Sequence, residues 1–400
     1  MRLINKLTIK DIDVSGKRVL VRVDFNVPLN AETGAITDDS RIQATLPTIK
    51  YLAERKARII LCSHLGRPKG KVVEKLRLGV VARRLSRFLG QPVEIAADSI
   101  GSEVEKAVEK LKPGAILLLE NIRFHPEEEA NDTSFARNLA RLADIYVNDA
   151  FGASHRSHAS IVGVADYLPA VAGLLVEKEI KVLKGILANP RHPFAELAGG
   201  AKVSDKLSVL ENTMPKVDCM LIGGGMAATF LKAKSYQVGT SLVESDKIGL
   251  AARLMKEATQ QGVRLMLPVD VLIATEVSAE AKAKVVSIGE IPPEWRIVDI
   301  GPQTISNFSE ELRQCQTIFW NGPMGVYEIA KFAKGTKAMA RLLASLKATT
   351  IIGGGSTAEA VTEMKLAAKM TFVSTGGGAS LRFLSGKTLP GVEALLDKES

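Results

Sequence analysis

Cysteine is scarce: Cys62, Cys219 and Cys315 are odd in number, far apart and without CxxC spacing. That pattern argues against a disulfide framework or a zinc site and suits a reducing cytosol. Aromatic residues make up only 5% of the chain, too few for the base-stacking platforms of a single-strand nucleic-acid binder. No apolar run reaches the roughly 18 residues of a membrane span, and residues 1–16 alternate polar with apolar, unlike a signal peptide. A cytoplasmic protein is expected. A Walker A loop is excluded as well, because Leu381 stands where the first glycine before Gly386-Lys387-Thr388 would have to be, and GxGxxG spacing is absent. Nothing resembling a coiled coil calls for an obligate oligomer, so a monomer is expected.

What is present is a chain of 400 residues, long enough for two cores. Its net charge of +9 divides into +5 over residues 1–175 and +4 over the rest. So even a spread suits small anionic substrates better than a nucleic-acid stripe. In the first half, short apolar runs at 18–23, 58–62, 115–119 and 144–147 alternate with helix-length segments. The second half does the same at 219–222, 263–267, 317–320, 349–352 and 370–373. Runs that are apolar throughout predict strands buried on both faces, as in parallel sheets covered by helices. The fold class is α/β: two doubly wound parallel-sheet domains. Residues 171–187 read as one helix joining them, closed by Asn189-Pro190. Domains are expected at 1–173 and 174–388.

Ligands of open parallel sheets bind beyond the carboxyl ends of the strands. In the first half those ends carry Asp24-Phe25-Asn26, then Ser63-His64-Leu65-Gly66-Arg67, then Glu120-Asn121-Ile122-Arg123, then Asn148-Asp149 leading to His155-Arg156. Each residue alone is more readily a surface arginine or a satisfied loop histidine. Four strand ends with the same chemistry point instead to a small polyanion, since guanidinium forks match phosphate and carboxylate oxygens. In the second half the ends are Gly223-Gly224-Gly225, Asn321-Gly322-Pro323, Gly353-Gly354-Gly355 and Gly376-Gly377-Gly378. Glycine turns before helices let backbone N–H groups approach phosphate, and Lys202 and Lys206 in the 199–206 segment add charge nearby. Phosphoryl transfer leads among the possible reactions.

At this point the motifs RVDFNVP at 22–28, SHLGRP at 63–68, ENIRFHPEE at 120–128 and NDAFGASHRSHAS at 148–160 resemble the phosphoglycerate kinase family. GGAKVSDK at 199–206, GGGMAATF at 223–230, NGPMGVYE at 321–328, STGGGAS at 374–380 and LPGVEAL at 389–395 continue the likeness in order. The resemblance implies reversible phosphoryl transfer between 1,3-bisphosphoglycerate and ADP, giving 3-phosphoglycerate and ATP. It implies a phosphoglycerate site at Asp24, Asn26, Arg41, His64, Arg67, Arg123 and Arg156, with Phe25, Leu65 and Gly66 beside them. ADP or ATP, carrying Mg2+, falls to the second domain. There Lys206 is implied at the phosphates, Glu328 at the ribose, the glycines including Gly200 and Gly224 around adenine, and Gly353, Gly354 and Gly355 at the phosphate end, with Asn321 and Ser356 adjoining. Gly376, Gly377 and Gly378 would cradle the transferring group, and Arg41 and Lys202 would stabilise its charge. The resemblance further implies closure of the domains about the connector and a C-terminal segment, 389–400, that returns to the first domain.

Five positions depart from the family pattern: Ser356 replaces an aspartate expected to help hold magnesium, Ile297 a glycine, Ala153-Ser154 a Thr-Ala pair and Arg382 a glutamate. The metal ligands are therefore left unassigned. Two rivals stand beside this reading: a nucleotide- and phosphoglycerate-binding protein of the same fold with impaired catalysis, and a basic nucleic-acid binder.

Overall fold

The computed structural model describes residues 5–398. They fall into two compact units, residues up to 181 together with the segment from 388 onward, and residues 182–387.

The first unit is built on β1 (Arg18–Val23), β2 (Arg58–Cys62), β3 (Val93–Ile95), β4 (Ile116–Leu118), β5 (Ile145–Asp149) and β6 (Ala170–Ala172). They form one sheet in the order β3-β4-β2-β1-β5-β6, parallel throughout. The central strands are buried on both faces because their runs are apolar in both directions: Val19, Leu20, Val21 and Val23 of β1 and Ile59, Ile60 and Leu61 of β2 are fully buried. The C-terminal segment is tied to this unit, with Leu396 N–H donating to Ala170 O at 2.9 Å and Asn148 Nδ2 donating to Gly391 O at 2.8 Å.

The second unit carries β7 (Phe194–Ala198), β8 (Cys219–Ile222), β9 (Arg264–Met266), β10 (Asp270–Ala274), β11 (Ala283–Ser287), β12 (Arg296–Ile300), β13 (Thr317–Asn321), β14 (Thr349–Gly353) and β15 (Phe372–Val373). Its six-stranded parallel sheet has the order β15-β14-β13-β7-β8-β9. A separate three-stranded antiparallel sheet, β11-β10-β12, was not foreseen. Only β10 alternates in burial, β11 is largely exposed and β12 is buried over its last three residues, a signal far weaker than the continuous apolar runs.

The connector needs a correction. The helix expected over 171–187 spans Leu174–Ala188 instead, and Ala170–Ala172 is a strand paired with β5. Gly173 separates the two: a Cβ there would lie 2.2 Å from Asp149 Oδ1. That carboxylate accepts from the N–H groups of Leu175 at 2.9 Å and Val176 at 3.4 Å, satisfying donors that the first helical turn leaves free. No described helix is long and apolar enough to cross a membrane.

Candidate active site

In the first unit the site begins inside β1. Arg22 is fully buried, and a buried guanidinium needs partners for its donors. Its Nε donates to Ser160 Oγ at 2.8 Å, a second nitrogen donates to Val23 O, and Nη2 meets His64 Nδ1 at 3.1 Å. The Ser160 hydroxyl in turn donates to Glu128 Oε1 at 2.7 Å, and Ser160 N–H donates to Oε2 at 2.9 Å. Burial works against the Glu128 carboxylate, but His158, Arg22 and Ser160 hold it below the usual range, so it balances the buried arginine.

His64 follows from this. Burial pushes its imidazole well below the usual histidine range, and Arg22, Arg123 and Arg41 push the same way against Asp24. The ring is neutral at pH 7. With Nδ1 facing the Arg22 donor, its proton is assigned to Nε2, leaving an N–H free to donate.

Asp24 is the opposite case: burial disfavours its charge, yet the Arg41 and Arg22 guanidiniums and the Asn26 N–H hold it below the carboxylate norm. Arg41 is ion-paired to it. Asn26 Oδ1 accepts from Gly66 N–H at 2.8 Å, and Gly66 O accepts from Arg123 Nη1 at 3.1 Å. The β1 and β2 ends are thereby locked to the segment after β4. Asn121 completes the lock by accepting from Leu65 N–H at 3.3 Å and donating to Leu65 O at 2.8 Å. Phe25 is fully buried, with its N–H on Ser63 Oγ at 2.9 Å. Arg123 is buried, pairs with Glu129 at 3.3 Å and has Arg22 and Arg156 near enough to perturb it.

Asp24, Asn26, Arg41, His64, Leu65, Gly66, Arg123 and Arg156 are therefore brought together. Arg67 is exposed at the rim, and neither it nor the half-buried Arg156 has a side-chain hydrogen bond or ion pair among the described residues. The functional residue that sequence reasoning missed is Arg22, hidden in a strand-like run; its signal was an arginine in a strand covered on both faces, which demands a partner.

In the second unit, backbone packing dictates glycine. A Cβ on Gly224, whose φ is +63°, would meet Gly200 N at 2.6 Å and Pro323 O at 2.7 Å, so the turns after β7, β8 and β13 close on one another only without side chains. Gly354, at φ +83°, has the same constraint against Asn321 Oδ1, 2.6 Å from its would-be Cβ. Lys206 Nζ donates to that oxygen at 2.6 Å, while the buried Nδ2 of Asn321 has no hydrogen-bond partner among the described residues. Burial lowers the Lys206 ammonium pKa, against the pull of Asp205 and Glu196. A Cβ on Gly377 would lie 4.0 Å from Gly355 N, so the turns that end β14 and β15 adjoin. Gly376 N–H donates to Ser374 Oγ at 3.0 Å.

Gly200, Gly224, Lys206, Asn321, Gly353, Gly354, Gly355, Gly376 and Gly377 thus share one end of this sheet. Lys202 and Glu328 are exposed and make no side-chain hydrogen bond or ion pair among the described residues. Ser356 is exposed in the first turn of the helix Gly355–Glu363, a turn without acidic residues. The Thr357 hydroxyl, a second candidate metal ligand, is buried and accepts from Gly322 N–H at 2.7 Å.

Guanidiniums converging on one sheet's ends and glycine turns with a lysine on another's are the equipment of a phosphoryl-transfer enzyme. The sequence profile of the phosphoglycerate kinase family matches residues 9–387. Phosphoglycerate kinase of Pelotomaculum thermopropionicum is 57% identical over 393 residues, 98% of this chain and 100% of that one. That of Moorella thermoacetica is 56% identical over 393 residues, with the same coverage. Among solved structures, phosphoglycerate kinase from Coxiella burnetii aligns with a TM-score of 0.85 at 41% identity, covering 97% of this chain and 98% of that one. The Pyrococcus horikoshii enzyme gives 0.85 at 33% identity with the same coverage. The chain belongs to the phosphoglycerate kinase family, phosphotransferases with a carboxyl group as acceptor.

Proposed function

We propose that this chain moves a phosphoryl group reversibly between 1,3-bisphosphoglycerate and ADP, giving 3-phosphoglycerate and ATP. The observation that carries this reading is the chemistry of the strand ends: arginines, Asp24 and His64 in one unit, glycine turns with Lys206 in the other. Phosphoglycerate is assigned to the first set, with Arg67 and Arg156 on its phosphate and carboxylate oxygens and His64 Nε2–H as a neutral donor. The nucleotide is assigned to the second, with its phosphates on Lys206 and Gly353, Gly354 and Gly355, its ribose at Glu328 and its adenine by Gly200 and Gly224.

Both reacting groups are already anionic, so no general base is required. Catalysis consists of alignment, exclusion of water and neutralisation of the charge in flight, for which Arg41, Lys202 and the turn of Gly376 and Gly377, through the Gly377 N–H, are the proposed agents. The two sets of strand ends belong to different compact units, so the reaction calls for a closure step. A radius of gyration that falls only with both substrates supports it, and identical scattering curves in every state contradict it.

Magnesium would be carried by the nucleotide and would supply neutralisation of its phosphate charge. The Ser356 hydroxyl, directly or through water, is a hard oxygen donor of the kind magnesium accepts. The Thr357 hydroxyl is already engaged by Gly322 N–H. A cytoplasmic monomer completes the proposal.

The test is a coupled assay of the purified chain with 1,3-bisphosphoglycerate and MgADP. ATP formation supports the reading. Binding of both substrates without ATP formation favours the impaired alternative.

A further inference from the structure

We propose that Cys219, Cys315 and Glu311 bind a thiophilic divalent cation of the zinc class, with one coordination position open to the cavity beside Cys315. Cys219 is the first residue of β8, Cys315 lies two residues before β13, and Glu311 is near the end of the helix Pro302–Arg313. These are the amino ends of the strands, opposite the glycine turns of the nucleotide site. In sequence the cysteines are too far apart to suggest a metal motif. The fold closes that gap: the two sulfurs and a Glu311 carboxylate oxygen all lie within 4.8 Å of one another, and all three residues are buried.

Tetrahedral zinc with bonds of about 2.3 Å to sulfur and about 2.1 Å to oxygen needs its ligand atoms about 3.5–3.8 Å apart. Small rotamer adjustments reach that spacing. Two thiolates select a soft cation over magnesium or calcium. Charge also closes: two thiolates and a carboxylate bring −3, the cation +2, and Arg264, ion-paired to Glu311, the remaining +1. That arginine also orients the carboxylate, as outer partners of metal ligands do.

The second observation is access. A cavity of about 260 Å³ is lined by Cys315 together with Arg191, Arg313 and Lys347. It supplies an entry path and room for a water or a small anion as the fourth ligand, which the three basic side chains favour. Binding releases the thiol protons and leaves two thiolates on the cation.

The experiment uses the full chain, reduced and stripped with chelator, titrated with Co2+ and then with Zn2+. The expected result is one Co2+ per chain with a thiolate-to-cobalt charge-transfer band, displaced by one Zn2+. Cys315→Ala should abolish the band, and Cys62→Ala, in the other unit, should retain it. Glu311→Gln keeps both thiols and guards against a variant that fails to fold; it should weaken zinc binding by about tenfold or more. The absence of a band, or a band surviving in Cys315→Ala, overturns the proposal. So does loss of two of the three thiols to a disulfide in wild-type chain that takes up no metal.

Discussion

Arg41 is ion-paired to Asp24, which joins the end of β1 to the helix Ser40–Glu54. The pair gives Arg41 an anchor within the cluster of His64, Arg22 and Arg123, from which its guanidinium is proposed to meet the transferring phosphoryl group. Arg41→Ala should therefore lower kcat far more than it raises the KM for 3-phosphoglycerate, because the charge it supplies matters most in the transition state. Steady-state kinetics decide it. A rise in KM with unchanged kcat would assign Arg41 to ground-state binding alone.

Arg67 has no hydrogen bond or ion pair of its own among the described residues, so its removal breaks nothing in the fold. Arg67→Ala should weaken 3-phosphoglycerate binding by at least about tenfold, about 1.4 kcal/mol, with the thermal midpoint unmoved. Calorimetric titration measures the affinity, and an unchanged Kd would remove Arg67 from the site.

The Ser356 substitution bears on metal handling. With no acidic residue in the first turn of its helix, the proposed reading leaves most of the magnesium affinity to the nucleotide's own phosphates. Ser356→Asp should lower the magnesium concentration giving half-maximal rate and leave the KM for 3-phosphoglycerate nearly constant. An unchanged magnesium dependence would place the metal elsewhere.

Glu196 gives a dependence on pH. Burial in the centre of β7 pushes its carboxyl up to about 7, against the hydrogen bond from Thr213 and the charge of Lys206. The folded state then keeps a proton that the unfolded chain loses near pH ~4. Its contribution to stability is complete below about pH 4, falls as pH rises to about 7 and is level above that. Asp149 and Asp299, both raised to about 7 by burial, act in the same direction. Glu196→Gln removes one of these three contributions, so the urea midpoint of the wild type minus that of the variant should fall between about pH 5 and about pH 8. Parallel curves for the two proteins would show that Glu196 does not titrate in this window.

Much of the fold was legible because parallel strands buried on both faces leave continuous apolar runs: β1, β2 and β8 have the bounds read from sequence. β7, the middle of its sheet, was not read as a strand, because Glu196 interrupts Phe194–Ala198 and its burial depends on Thr213 and Lys206, which come later in the chain. β6 is three residues of Ala-Val-Ala and merges by composition with the helix after it. The glycine turns were legible from repetition. What stayed hidden was partnership: that Arg22 belongs with His64 and Ser160, and that Cys219 meets Cys315, are facts of crossover topology that no local spacing encodes.

The division of labour between the two sets of strand ends is tested most directly by a crystal structure of the chain with MgADP and 3-phosphoglycerate. The account predicts 3-phosphoglycerate oxygens on Arg67, Arg123, Arg156 and His64 Nε2, and nucleotide phosphates on Lys206 and the N–H groups of Gly353, Gly354 and Gly355. A nucleotide on the arginine-bearing ends, or a phosphoglycerate held by the glycine turns, would contradict it.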